Sequence, residues 1–321
     1  TGSFCLPSGL SFLRRNTVIK GLAIAPPVLG RITIGRVIEK DGKRLPEKDD
    51  QFTITSQIQT RDGWLAHPLD EELRARADSK KLRAIPVRML FNDADLNLRA
   101  EYSLFDRNTG RPVCVGNGET CKRSTVAGME QLPCPSPNAC ELGKKSGCKP
   151  YGRLNVRIGD DDELGTFIFR TTGYNSIRSL MARLRYFQAV SGGLLSCLPL
   201  EMRLRGKSTT QSHRAPIYYA DLTVRDGMTI EEAMQEAKSL NAKRVEAGLD
   251  QQALDDAARI GFENSAFEDD EEETPAILEE FYPAEDAERQ SLANRTTQKL
   301  QNTGLRDKLT QRSEASAQQV A

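Results

Sequence analysis

Apolar and polar residues alternate along many short stretches of residues 30–226, and this period of two predicts β-strands. The alternation is clearest at 152–158, where Leu154, Val156 and Ile158 would share one face. The arginines that alternate with them are expected to face outward. The predicted strands are 31–38, 51–56, 83–91, 99–106, 152–158, 164–170, 200–205 and 216–225.

Two stretches of the same region follow the period of a helix instead. Residues 67–77 carry acidic side chains in their first turn, which is typical of a helix N-terminus. Residues 174–190 place apolar side chains at helical spacing, with Thr171, Thr172 or Asn175 as candidate caps. The order of elements is two ββα/ββ units separated by a cysteine-rich segment. This order predicts an α+β fold of mostly antiparallel sheets with helices on one side.

The ends of the chain differ from this body. Residues 1–29 mix Leu, Pro and Arg without a clear period, and we interpret them as an N-terminal arm. The body is expected to span 30–226, followed by a helical extension at 227–263. Residues 264–321 are acidic and then rich in Gln, with few large apolar side chains, so they are predicted to be disordered.

The formal charge of zero hides a strong asymmetry along the chain. Residues 226–321 carry 22 acidic and 10 basic side chains, which leaves 23 acidic and 35 basic in residues 1–225. A basic body predicts contact with a polyanion, and an acidic tail predicts competition for that surface or recruitment of a partner. Removal of residues 264–321 should then leave the body folded and raise its affinity for DNA. Charge that only solubilises the chain is the alternative.

Five of the seven cysteines fall in the predicted loop 107–150, namely Cys114, Cys121, Cys134, Cys140 and Cys148. Residues 134–148 include almost no apolar side chains, so hydrophobic packing alone would not order them. Thiolates of Cys121, Cys134, Cys140 and Cys148 would close a tetrahedral zinc site, with Cys114 as the rival fourth ligand. An iron–sulfur cluster and free surface thiols are the alternatives. Cys197, which lies in an apolar run, is expected in the core.

The expected compartment favours a metal over disulfides. No signal peptide is visible, and the first residues resemble a start from which Met was removed. No run approaches the roughly 18 apolar residues that a membrane span needs. We therefore expect a cytoplasmic protein without membrane contact, where an odd number of cysteines indicates metal binding.

Basic side chains cluster in the second half of the body and predict a nucleic-acid interface. The guanidinium group suits phosphate because its donors form a fixed fork. The candidates are Arg153, Arg157, Arg178, Arg183, Arg185, Arg203, Arg205, Lys207 and Arg214. Nearby rings that could stack on bases are Tyr151, Tyr174, Tyr218 and Tyr219, although partly buried packing is their more ordinary role. No recognition helix is evident, so sequence-specific readout is not expected.

Catalytic residues are not evident, and the chain is predicted not to be an enzyme. The two histidines, His67 and His213, fit exposed loop positions, and neither has a predicted nucleophile beside it. Acidic pairs that would suit a metal-dependent nuclease are Asp93 with Asp95 and Asp161 with Asp162. Solvated turn acids are the simpler interpretation of both pairs.

Several strings taken together resemble one known family. They are residues 29–35, 45–56, 102–106, 111–116, 151–156, 165–178 and 207–212. In this combination the chain resembles the recombination-directionality-factor-like proteins of phages, plasmids and integrative elements. The resemblance covers about residues 28–226 and leaves the tail outside.

The resemblance implies a non-enzymatic accessory protein that binds DNA or a DNA-bound large serine integrase and controls the direction of recombination. Such a factor would favour one arrangement of the integrase assembly over another. The family's cysteine-rich region also implies a structural zinc ion at the thiolates proposed above. The alternative function is a single-stranded nucleic-acid-binding protein or ribonucleoprotein subunit acting in replication, repair or defence. The oligomeric state stays open, a homo-oligomer included.

Overall fold

The computed structural model describes residues 27–40, 43–60, 63–77, 81–160, 165–208, 216–262 and 274–282. The strands in these ranges are β1 (Val28–Lys40), β2 (Lys43–Thr60), β3 (Gly63–Ala66), β4 (Ala84–Arg88), β5 (Leu98–Phe105), β6 (Pro112–Gly116), β7 (Thr120–Thr125), β8 (Gly128–Pro133), β9 (Lys149–Ile158), β10 (Thr166–Thr171), β11 (Leu200–Lys207) and β12 (Ile217–Val224). The helices are α1 (Pro68–Arg76), α2 (Ala94–Asn97), α3 (Glu141–Ser146), α4 (Tyr174–Val190), α5 (Ile230–Glu246), α6 (Gln251–Phe262) and α7 (Thr274–Phe281).

The strands form a large and mostly antiparallel sheet, as predicted. Its main path runs β3-β2-β1-β10-β9-β5-β6-β7-β8, and β4 links β9 to β11, which pairs with β12. Among the described strands, β1 and β10 form the one parallel pair, with Val28 opposite Thr166. The hairpin formed by β1 and β2 therefore joins the sheet through a strand that lies far away in the sequence.

The main core lies between one face of this sheet and helix α4. Leu154, Phe169 and Leu180 are fully buried there, because the apolar positions of the strands meet the apolar stripe of the helix. Helix and strand approach closely at Gly152, where a Cβ atom would lie 2.9 Å from Cγ1 of Ile177. Only a glycine permits this approach, so β9 packs closely against the first turn of α4.

Helix α7 packs on part of the opposite face of the sheet. Tyr151 precedes Gly152 on β9 and so points to the other side of the sheet, where its ring meets Phe281 edge-on at 6.2 Å between centroids. The prediction that helices lie on one side is therefore wrong. The alternation of residues along β9 assigned side chains to the two faces of the sheet correctly. It did not show that α7, which is distant in the sequence, packs on the second face.

Part of the predicted disordered tail is ordered. Helix α7 lies within residues 264–321, and its Ile277 and Phe281 are 1% and 0% exposed. These two side chains supply the apolar contact area that the rest of the tail lacks. The remainder of the predicted tail and residues 1–26 of the predicted arm lie outside the described residues.

Two helices, α5 and α6, lie in the interval that was predicted as a helical extension. Helix α5 begins with a capping box in which Thr229 and Glu232 exchange hydrogen bonds. Helix α6 buries Ala258 against Phe91 and Leu96. None of the described helices combines the length and the hydropathy that a membrane span requires.

The predicted cysteine loop contains regular structure. Strands β6, β7 and β8 form a meander that extends the main sheet, and α3 follows it. Backbone pairing, which needs few apolar residues, orders most of this segment. Residue 142 adds one apolar side chain, since Leu142 packs against the cluster formed by Leu104, Cys114 and Cys121.

Candidate metal centre and nucleic-acid interface

The five cysteines of residues 107–150 converge in space, and we refer to them as the thiol cluster. Cys114 lies on β6 and Cys121 on β7, whereas Cys134 follows β8 directly. Cys140 is the N-cap residue of α3, and Cys148 stands between α3 and β9. The meander thus places Cys114, Cys121 and Cys134 on one side of the extended sheet, and α3 brings Cys140 and Cys148 to them.

A small cavity of about 20 Å³ lies within the thiol cluster. Four of the five cysteines line it, namely Cys114, Cys134, Cys140 and Cys148, together with Arg123. Cys121 does not line it, and its Sγ instead lies 3.8 Å from the carbonyl oxygen of Pro133. This volume is close to that of a single water-sized sphere, so the cavity has room for one ion.

The thiols influence one another electrostatically. Burial and the neighbouring thiols Cys114, Cys134 and Cys140 raise the pKa of Cys148 to about 12. Burial and Cys114 raise the pKa of Cys121 to about 11. The backbone N–H of Gly143 lies 3.4 Å from Sγ of Cys140 and lowers the pKa of that thiol. Without a cation, thiolates this close together repel one another; a divalent cation would reverse this effect.

The side chains of the thiol cluster are not arranged as a metal site in the described structure. Among the residues that the structure describes, no group of three or more His, Cys, Asp or Glu side chains has an arrangement that could hold a metal ion. Cys197, in contrast, lies in the core as predicted and accepts a hydrogen bond from Arg244 at 3.3 Å. The choice of Cys121 as a ligand stays a prediction, although the cavity favours the rival ligand Cys114.

Several predicted interface residues meet on one side of the sheet, and we call Arg183, Arg203, Arg205 and Lys207 the basic surface. The three residues of β11 point the same way because they alternate along the strand. Arg183 of α4 and Arg205 both reach Asp221, at 3.3 and 3.4 Å. Asp221 is buried and holds the two exposed guanidinium groups side by side.

The remaining exposed candidates lie elsewhere. Arg185 forms an ion pair with Asp95 at 3.1 Å, and Arg178 precedes it by seven residues on the same side of α4. These two arginines therefore lie apart from the basic surface. Arg214 and His213 fall outside the described residues.

Arg153 and Arg157 are not exposed, and the prediction that they face outward is wrong. They are 6% and 7% exposed, respectively. Strand β9 pairs with β5, β10 and β4, so it lies inside the sheet. Both of its faces are covered, since Tyr151 and Leu154 on opposite faces are fully buried. Arg157 donates to the carbonyl oxygen of Ser196 at 3.4 Å, which identifies it as a buried structural residue.

The tyrosines predicted to stack on bases also include both buried and exposed side chains. Tyr151 is fully buried and cannot stack on a base, which corrects the prediction for this ring. Tyr174 and Tyr186 on α4 are 58% and 53% exposed, and the second was not among the predicted residues. Tyr218 and Tyr219 are partly buried on β12.

The candidate catalytic residues have structural partners. His67 caps α1, where its Nδ1 accepts from the backbone N–H of Leu69 at 3.2 Å, and burial lowers the pKa of this half-buried side chain. Asp93 caps α2 and binds Arg259. Asp95 pairs with Arg185, as described above. Asp161 and Asp162 lie outside the described residues.

Sequence reasoning missed a line of arginines that crosses the sheet under α7. Arg153 stands directly opposite Arg99 on one neighbouring strand and Arg170 on the other. Arg31 of β1 extends this line, since it lies opposite Ile168 on the same face. We call these four residues the arginine row. The available signal was a charged residue within an otherwise apolar strand, as in residues 166–171.

A comparison with known families identifies the chain's relatives. The family described as Gp3-like, recombination directionality factor-like, matches residues 29–225. The chain belongs to this family. The match begins within β1 and ends just after β12, so it contains the sheet, the thiol cluster and the basic surface, and excludes α5, α6 and α7. The family description suggests an accessory role in phage recombination. Searches of curated proteins and of solved structures each found no match.

Proposed function

We propose that the chain is a non-enzymatic accessory protein of a mobile element, which binds DNA, a DNA-bound serine integrase, or both, and controls the direction of recombination. The family match over residues 29–225 carries this proposal. A factor of this kind acts by binding one arrangement of the integrase assembly more tightly than another, so it needs contact surfaces and no catalytic group.

The basic surface supports the part of the proposal that concerns DNA. Arg183, Arg205 and the neighbouring Lys207 are exposed, and the first two are held together by Asp221. Paired guanidinium groups on a rigid helix and strand suit adjacent phosphate oxygens. Binding of this type depends on charge, so its affinity should fall steeply with salt.

The thiol cluster would hold a structural zinc ion. The proposed ligands are Cys114, Cys134, Cys140 and Cys148, because these four line the small cavity. Support comes from the donor set itself, since sulfur ligands suit Zn²⁺ and a cation would favour the thiolate forms that burial and the neighbouring thiols disfavour. The bound ion would stabilise the connection between the meander and β9.

A recombination assay tests the proposal. The element's integrase is incubated with integration or excision substrates, with and without the protein, and the products are quantified. We expect the protein to promote excision and to inhibit integration. The Arg76→Ala variant, which changes an exposed residue of α1, serves as a control and should retain both effects. Unchanged product ratios on addition of the protein would refute the recombination role.

The alternative function is binding of single-stranded nucleic acid. The observation that favours it is the exposure of Tyr174 and Tyr186, two rings on the arginine-bearing helix α4. Such rings can stack on unpaired bases. Binding to an unstructured oligonucleotide with no binding to the duplex, together with no effect on recombination, would favour this alternative.

A further inference from the structure

The arginine row is unusual because like charges stand next to one another in a sheet. Arg99, Arg153 and Arg170 occupy directly opposed positions on three neighbouring strands. Like charges in such positions destabilise a sheet. On this face the row has Glu101 nearby, which lies 3.8 Å from Arg99 and 3.6 Å from Arg153. Arg99 also lies over the ring of Phe262 of α6, 4.8 Å from its centroid. The concentration of positive charge on this face favours the approach of further negative groups.

Helix α7 supplies that charge at one end of the row. Oε2 of Glu279 accepts a hydrogen bond from Nε1 of Trp64 at 2.8 Å and lies 3.5 Å from Nη2 of Arg31. The Arg31 guanidinium group also stacks on the Trp64 ring, 4.1 Å from its centroid. One carboxylate of α7 is thus held by a buried cation and an indole donor together.

A second carboxylate of α7 is held at the start of α4. Oε1 of Glu280 accepts from the backbone N–H of Thr172 at 2.9 Å. Gly173 is the N-cap residue of α4 and no side chain caps the helix, so the caps predicted at Thr171, Thr172 or Asn175 are not formed. The carboxyl group of Glu280 instead lies just before the helix N-terminus. Burial raises the pKa of this carboxyl to about 7.

Apolar side chains of α7 fill a pocket beside these two carboxylate positions, over β9 and β5. Phe281 is fully buried and contacts the rings of Phe105 and Tyr151, with centroids 5.0 and 6.2 Å away. The ammonium group of Lys149 lies 4.6 Å from the Phe281 ring centroid. Ile277, one helical turn earlier, is also buried in this cluster. The pocket and the two carboxylate positions together form what we call the docking groove.

The groove and its occupant belong to different parts of the chain. Every groove residue named above lies within residues 29–225, whereas α7 begins at Thr274, outside the family match. Residues 263–273 connect α7 to the preceding helix, and seven of these eleven residues are acidic. A helix attached by a short connection competes for its site at an effective concentration of about 1 mM.

We propose that the docking groove is a binding site for an acidic, aromatic-containing helix of a partner protein, and that α7 is a tethered competitor that must leave before the partner binds. The partner helix would carry an apolar residue, an acidic pair and an aromatic residue at the spacing of Ile277, Glu279, Glu280 and Phe281. This inference goes beyond the proposed function, because it holds whichever protein supplies the helix.

The geometry favours a helix over a nucleic acid as the second occupant. The apolar pocket receives side chains one helical turn apart and buries them fully, as in other helix-in-groove complexes. Both carboxylate positions lie beside that pocket, at β1 and just after β10, where two consecutive residues of one helix reach them.

Peptide binding to the full-length chain tests the proposal. The probe is a fluorescein-labelled peptide of residues 272–284, measured by anisotropy against the wild type and the Phe281→Ala variant. The substitution weakens α7 and leaves the groove intact, so we expect the variant to bind the peptide at least tenfold more tightly. The Val126→Ala variant removes an exposed apolar side chain outside the groove and should bind like the wild type. A peptide with the same Phe281→Ala change should not bind.

A second measurement keeps the test valid if the Phe281→Ala variant does not fold. Hydrogen exchange is followed in the wild-type chain during titration with unlabelled peptide, and residues 274–281 should lose protection as the peptide replaces them. Equal peptide affinity for wild type and a folded variant would overturn the proposal, as would unchanged protection at saturating peptide. It would also be overturned if the variant gained affinity for an oligonucleotide and none for the peptide.

Discussion

Gly116 lies directly against Cys134: a Cβ atom at Gly116 would come 2.9 Å from the Sγ atom of Cys134. It would also come 2.6 Å from Cβ of Cys121, so the end of β6 approaches two thiols more closely than any side chain allows. The position of the thiol cluster therefore depends on a glycine that carries no chemistry of its own.

The Gly116→Ala substitution should displace the thiols and destabilise the meander. Overpacking of this kind costs about 1–3 kcal/mol, which urea unfolding would detect as a lower midpoint. The matched control is Gly206→Ala on β11, where the added Cβ atom would lie 3.4 Å from the Tyr218 ring, an ordinary contact. An equal effect of both substitutions would contradict this account.

Single serine substitutions should separate the two candidate ligand sets for zinc. Purified wild-type chain should contain about one zinc ion per chain by elemental analysis. We expect Cys114→Ser and Cys148→Ser to lose it, because both thiols line the cavity, and Cys121→Ser to retain it. Cys197→Ser, in the core, controls for the general effect of losing a buried thiol. Metal-free wild-type protein would refute the zinc site.

Arg183 and Arg205 should contribute to DNA affinity through phosphate contacts. Replacement of either by Ala should weaken binding for all sequences and reduce the slope of log affinity against log salt by about 1. Fluorescence anisotropy at several salt concentrations measures both quantities. Arg76→Ala, which changes an exposed arginine on α1, should leave the slope unchanged. If the control variant lost as much DNA affinity, the DNA interface would not be at the basic surface.

Asp160 should make the fold sensitive to acid. Its carboxylate binds Arg225 at 2.7 Å and Arg88 at 2.5 Å, and these two guanidinium groups lower the pKa of Asp160 to about 2. A lowered pKa means that the stabilisation is complete above the unfolded-state pKa near 4 and is lost as the pH falls toward 2. Urea midpoints at pH 5 and pH 3 should therefore differ less for Asp160→Asn than for the wild type.

Docking of α7 should strengthen as the pH falls. Burial raises the pKa of Glu280 to about 7 from 4.5, so the docked helix favours the protonated carboxyl. The contribution of the protonated carboxyl to docking is therefore complete below about pH 4.5. It is lost as the pH rises toward 7, and docking is weakest above pH 7. The polar and charged groups around Glu280 are Asp49, Asp50, Lys149, Arg170, Thr172, Tyr218 and Glu279.

Hydrogen exchange of residues 274–281, corrected for the intrinsic pH dependence, checks this expectation. Protection should be greater at pH 6 than at pH 8 in the wild type. Glu280→Gln mimics the neutral carboxyl and should show the same protection at both values. A wild type whose corrected protection does not change with pH would exclude Glu280 as the titrating group.

The regular elements of the body could be predicted from the sequence because each follows a single period. Helix α4 begins and ends where its apolar spacing predicts, at residues 174 and 190, and the strands around Leu154 and Met202 alternate as expected. Strands β6, β7 and β8 were missed, because a meander ordered by backbone pairing and a few thiols has too little apolar pattern to detect.

The burial of the arginines could not be predicted from the alternation of apolar and polar residues. Alternation assigns Arg153 to the face opposite Leu154, but whether that face meets water depends on α7, which is more than a hundred residues away. The gathering of the cysteines was predictable from their number and local context. The close approach of Cys114 to the cavity depends on sheet register, which no local spacing encodes.

The parallel pairing of β1 with β10 also has a consequence for synthesis on the ribosome. Val28 cannot pair with Thr166 until about 140 further residues have been synthesised. At ordinary translation speed this synthesis takes on the order of 10 s. During that interval the nascent hairpin has an open edge that can pair with the same hairpin of a neighbouring nascent chain. We therefore expect that slower initiation, or a chaperone bound to the first sixty residues, will increase the yield of correctly assembled protein.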